Sequence, residues 1–303
     1  MQSIYAMHQN GSDNLEKEEK FLFYSIDNIQ DLYLIMLSSL IEICKKETIF
    51  LHKSSLKHLA TPEERKPNEK FIKNSIFQIL SENNSLSIAL ENRKIDNWTL
   101  NDDYILLLLN DIKSSELYGK YMSNSINTFE EDKQFIVDLF MDVIVPNEKL
   151  YEYLEDDKLT WVDDIPLVNT HIIKQLKAIK SGENDNFRVP KLYKDNEDKD
   201  FVRDLFRKTV LNETEFAKEY VDKTPNWDSD RIAEIDTIIL KMAICEFLKF
   251  PSIPVKVTLN EYLEVAKEYS TPKSSIFING ILDNLVKELQ ANKKMIKAGR
   301  GLM

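Results

Sequence analysis

The side chains able to do chemistry in this 303-residue chain are few and scattered. Its four histidines, His8, His52, His58 and His171, and its two cysteines, Cys44 and Cys245, do not fall at metal-binding spacings. His52 and His58 stand six residues apart, which is not one helix face at i, i+4. Carboxylates are abundant, 51 Asp and Glu against 40 Lys and Arg, but no pairing motif gathers them, and solvated helix faces account for them. The six glycines form neither G-x-G nor G-x-x-x-x-G-K-[ST], which argues against a phosphate-cradling loop. No nucleophile elbow or kinase-like set appears. The chain therefore reads as a non-enzyme with no cofactor and no metal, and what remains is the chemistry of binding by cations and aromatic rings.

The elements that must position such groups are helices. Sparing glycine fits helices joined by polar turns. A composition of 43% hydrophobic residues supports one large helical body or two smaller domains. From 230 to 283 the spacing predicts three helices. Ile232, Ile235, Ile239, Met242 and Ala243 share one face of the first, and Ile238, Leu240, Ile244 and Phe247 widen it, so it is buried on more than one side. Pro251 and Pro254 end it. Thr258, with Glu261 three residues on, has capping-box spacing for the second helix. Thr271 and Pro272 open the third, with Ile276, Phe277, Gly280, Ile281 and Leu285 as its packing stripe. Further helices are expected over 16–46, 71–80 and 101–117, with 104–109 deep in the core, while 86–98 has no clear pattern. The loop 181–200 is polar, and the basic tail 289–303, with Lys293, Lys294, Lys297 and Arg300, is expected to fray. Two thiols in apolar segments suggest a reducing cytoplasm. No run is long enough to span a membrane, Leu32 to Ile43 included.

An internal repeat runs through the middle. DKQFIVDLF at 132–140 resembles DKDFVRDLF at 198–206, an offset of 66 residues. The same offset pairs Asp156 with Asp222, Trp161 with Trp227, Asp164 with Asp230, and Ile172-Ile173 with Ile238-Ile239. Duplication of one helical unit explains matches this far apart.

The segment that follows the second copy resembles the NusB family of bacterial transcription antitermination factors. The matching residues are Asp236, Ile239-Leu240-Lys241, Ala243, Glu246-Phe247, Ile253-Pro254, Lys256-Val257, Leu259-Asn260-Glu261, Glu264, Ala266-Lys267 and Phe277-Ile278-Asn279-Gly280, without a gap. The PxKVxxNE and FxNG pieces together make the signal specific. Gln2, Ile4 and Tyr5 match the end of the family's arginine-rich first helix, whose arginines would precede Met1; either the chain lacks them or residues before Met1 are missing.

The resemblance implies an all-α, NusB-like helical bundle with additional inserted helices. The expected segments are 1–125 as an N-terminal helical region, 126–190 as the first repeat copy with its linker, and 191–303 as the second copy running into the NusB-like domain and basic tail. It further implies a cytoplasmic adaptor that joins the transcription elongation complex by binding a NusE-like small-subunit ribosomal protein and boxA-like single-stranded RNA. Tyr5, Lys241, Lys256, Lys267, Phe277 and Asn279 are the implied RNA-binding candidates, through phosphate contacts and base stacking. Each has a plainer role open to it: packing for Tyr5 and Phe277, a turn contact for Asn279, solvation for the lysines. Glu246 and Glu261 are candidates for a basic protein partner. Lys241 stands where the family has arginine, Ile276 where many members have lysine, and Ser270 where a glycine is common. With a net charge of −11, these departures favour a second reading, a protein-only helical scaffold that has lost RNA binding.

Overall fold

The computed structural model describes residues 1–182, 187–221 and 233–297. Among them are α-helices and no strand. In chain order they are α1 (Gln2–Gln9), α2 (Leu15–Ser55), α3 (Pro62–Arg65), α4 (Ser75–Glu82), α5 (Asn84–Arg93), α6 (Asn97–Leu100), α7 (Asp102–Ser114) and α8 (Glu116–Ser123). Then follow α9 (Phe129–Leu139), α10 (Glu148–Asp157), α11 (Ile165–Ala178), α12 (Asn196–Leu211), α13 (Glu213–Val221), α14 (Glu234–Lys249), α15 (Val255–Tyr269) and α16 (Pro272–Ala291). One wider π turn, Phe140–Ile144, prolongs α9. Repeat residues Asp222, Trp227 and Asp230, together with Ile232 and Arg300, lie outside the described residues.

The chain divides into two compact units. The central unit is Ser25–Leu192, and the terminal unit joins Met1–Tyr24 to Tyr193–Met303. The division falls inside α2.

In the central unit, α2 is the hydrophobic axis: Leu32, Leu34, Ile35, Met36, Leu37, Leu40 and Ile43 are all buried. Two indoles tie neighbours to it, Trp161 donating to the Asn28 carbonyl at 2.9 Å and Trp98 to the Ile35 carbonyl at 3.0 Å. The helix expected over 71–80 begins only at Ser75. Asn74, fully buried, caps it by accepting from the Ile76 amide, and donates to the Tyr121 hydroxyl and the Asp132 carbonyl. The helix expected over 101–117 is two helices, because Ser115 caps α8 by accepting from the Tyr118 amide. Within 104–109, Ile105, Leu108 and Leu109 are buried while Leu106 faces solvent. The unassigned stretch 86–98 forms α5 and leads into α6, with Trp98 buried.

In the terminal unit, α14 is the axis. It packs against α1, α12, α13, α15 and α16. Ile238, Ile239, Leu240, Ala243, Ile244, Cys245 and Phe247 are wholly buried, as the wide apolar face predicts. Three local expectations change here. Thr258 is not the cap of α15, which starts at Val255 with Pro254 as the extended N-cap residue; Thr258 is buried one turn inside. The packing stripe of α16 is Ile278, Ile281, Leu282, Leu285 and Leu289, and Ile276 points outward at 76% exposure. The tail is anchored as far as it is described. Lys294 pairs with Glu219 at 2.8 Å, and the Lys297 ammonium donates to the carbonyls of Glu246 and Phe250 at the end of α14, where basic groups favour the helix dipole. Thr271 caps α16 as expected, accepting from the Ser274 amide at 3.1 Å.

Candidate functional site

The terminal unit holds every candidate residue, in three settings. The first is the core. Glu246 is 5% exposed, its two carboxylate oxygens accepting from the Thr258 hydroxyl at 2.7 Å and the Tyr262 hydroxyl at 3.1 Å. Burial first, and then the Glu246 charge, push the Tyr262 phenol well above its ordinary range. Glu246 is thus a fastener between α14 and α15, and its carboxylate does not reach the surface that a protein partner would meet. Asp236, also buried, accepts from the Ser270 hydroxyl. The backbone of Ser270 is extended (φ −131°), so the turn does not require the glycine common at that position.

The second setting joins α1, α13 and α14. The His8 ring lies between two carboxylates, with Nε2 2.7 Å from Glu213 and Nδ1 3.1 Å from Glu234. Lys241 closes the group on Glu213 at 2.7 Å, its side chain only 15% exposed. Gln9 also donates to Glu234. The charge of Lys241 is therefore balanced within the chain. Tyr5 stands on α1 and is 36% exposed. His8, Glu213 and Glu234 carry no signal in the sequence, because their contacts span more than two hundred residues.

The third setting is the outer face of α15 and α16. Lys256, Asn260 and Glu261 are exposed along α15, with Val257 beside them at 44%. Among the described residues, nothing hydrogen-bonds or ion-pairs with the side chains of Lys256, Asn260, Glu261 or Asn279. Lys267 is exposed and paired along its own helix with Glu264. On α16, Ile276, Asn279 and Gly280 are exposed and Phe277 is half-buried. A Cβ built on Gly280 meets no atom within 4 Å. Internal packing therefore gives no reason for a glycine there, and a glycine within a helix costs about 1 kcal/mol against alanine.

Comparison with known proteins bears on this unit. A model of the NusB family matches residues 168–287. The transcription antitermination protein NusB of Salinibacter ruber is 44% identical over 117 residues, which cover 38% of this chain and 72% of that protein. The chain belongs to the NusB family. The corresponding protein of Chloroherpeton thalassium is 38% identical over 105 residues, 35% of this chain and 50% of its own length. That of Koribacter versatilis is 38% identical over 100 residues, 33% of this chain and 68% of its own length. No solved structure matches the chain. The match to NusB begins inside α11, at the end of the central unit, and takes in α12 to α15 and most of α16; all candidates except Tyr5 fall inside it. In this NusB-family chain, of the polar motif residues Asp236 and Glu246 fasten the core, while Lys256, Asn260, Glu261 and Asn279 face solvent.

Proposed function

We propose that the chain is a non-catalytic transcription antitermination adaptor of the cytoplasm. It binds a NusE-like small-subunit ribosomal protein and boxA-like single-stranded RNA, and joins the elongation complex on ribosomal RNA genes. The observation that carries this reading is the outer face of α15 and α16. Within the family match it presents the motif residues Lys256, Asn260, Glu261 and Asn279 with no partner among the described residues, next to the open space at Gly280. The names of the relatives, transcription antitermination protein NusB, support the process. In this reading Lys256, Lys267 and Asn279 contact RNA with Tyr5 and Phe277 as stacking surfaces, Glu261 meets the basic protein, and Lys241 stays in its pair with Glu213. Segments 126–190 and 191–303 carry the two copies of the repeat.

A protein-only scaffold is the second reading. The pairing of Lys241 with Glu213 favours it, since this largely buried cation is already partnered. Fluorescence anisotropy of a boxA-like RNA, with and without the NusE-like protein of the same genome, separates the two across a salt series. The adaptor requires binding that depends on the protein and weakens steeply with salt. Protein binding without RNA binding selects the scaffold.

A further inference from the structure

The central unit carries a groove between α2 and α4 with the segment leading into it, with a volume of about 710 Å³. Ile41 and Phe77 form its buried floor, and Cys44, Ile72 and Ile49 line its walls. Lys45 and Lys73 stand at its rim, and no lining residue is acidic, in a chain where acids outnumber bases. Lys45 pairs with Glu42 and Lys73 with Glu69, but the lysine side chains are 59% and 72% exposed. Such exposed pairs contribute little and exchange readily for other carboxylates.

We propose that this groove receives an acidic amphipathic helix of a partner protein. From Ile41 to Ile49 the α2 wall is about 12 Å long at the helical rise, two turns, which suits apolar anchors at i, i+3 or i+4, and i+7. The lysines then meet the carboxylates that flank those anchors. A single RNA strand fits less well: the lining is chiefly apolar, only two cations reach it, and the Phe77 ring is buried and offers no face for a base. The groove lies outside the residues matched by the NusB family, so the interaction is one that this chain adds to the family's body.

Cys44 is a built-in reporter, since the other cysteine, Cys245, is buried in the terminal unit. The test uses the full chain and a fluorescein-labelled synthetic helix with leucines at i, i+3, i+4 and i+7 and glutamates on its flanks. A lysine-flanked twin and a single-stranded RNA oligonucleotide serve as further probes. The glutamate peptide is expected to bind and to slow alkylation of Cys44 by a maleimide. Lys45→Glu with Lys73→Glu is expected to weaken it about tenfold, with the circular-dichroism melt unchanged. Equal binding of the lysine twin, or Cys44 alkylation that the glutamate peptide leaves unchanged, overturns the proposal. So does protection of Cys44 by the RNA, or by rising concentration of the chain alone.

Discussion

Glu246 shows how one residue fixes the terminal unit. Its carboxylate takes both the Thr258 and Tyr262 hydroxyls, and its own carbonyl accepts from Lys297. Glu246→Leu leaves two buried hydroxyls without an acceptor, and thermal melts should show a loss of about 2–4 kcal/mol. Gly280 acts in the opposite sense. Gly280→Ala meets no neighbour and should stabilise the chain by about 1 kcal/mol, while weakening the binding of a protein that approaches this face. A variant that is more stable and binds as well would separate Gly280 from the interface. In the central unit, burial, with the neighbouring Asp163 adding to it, pushes the Asp164 carboxyl from 3.8 up to about 6. The folded state thus holds this proton more tightly than the unfolded chain. Stability falls as pH rises from about 4 to about 6, and the deficit persists above that. Asp164→Asn should melt higher than the parent at neutral pH, by on the order of 1 kcal/mol at this half-exposed, solvent-screened site. The two should converge below pH 4, as denaturant melts at several pH values will show.

At the scale of elements, local chemistry written in the sequence set several boundaries. Thr271 and Pro272 start α16 as their types require, and the prolines at 251 and 254 separate α14 from α15. Thr271→Ala should cost about 1 kcal/mol, read as a lower melting temperature. The unexpected break between α7 and α8 is local, at the Ser115 cap, whereas two other departures are set by side chains distant in sequence. Asn74 begins α4 because it bonds to Tyr121 and Asp132. Thr258 sits inside α15 because Glu246 holds its hydroxyl, although its spacing to Glu261 copies a capping box. The stripe of α16 was displaced because Phe277 and Ile278 are both apolar, and only packing against α14 and α15 decides that Ile278 and Leu282 turn inward.

At the scale of the molecule, the all-α class and the NusB relationship were legible, because the motif residues lie gap-free between Asp236 and Gly280 and most of them sit on three consecutive helices. The gathering of His8, Glu213, Glu234 and Lys241 was not, since no local pattern links residues so far apart. Several helix positions share the 66-residue spacing read in the sequence. Shifted back by 66 residues, α12, α13 and α14 fall on α9 with its π turn, on α10, and on α11. Ile172 and Ile238, paired by that shift, are both fully buried, whereas Phe135 is buried and Phe201 is 36% exposed.

The central claim is that the outer face of α15 and α16 is the binding surface. Hydrogen–deuterium exchange of the full chain, alone and with the NusE-like protein and a boxA-like RNA, tests it most directly. The predicted result is slowed exchange over 255–269 and 272–291, centred on the turns that carry Lys256, Asn260, Asn279 and Gly280. Protection confined to residues 25–192, or no change in either helix on formation of a complex, would contradict it.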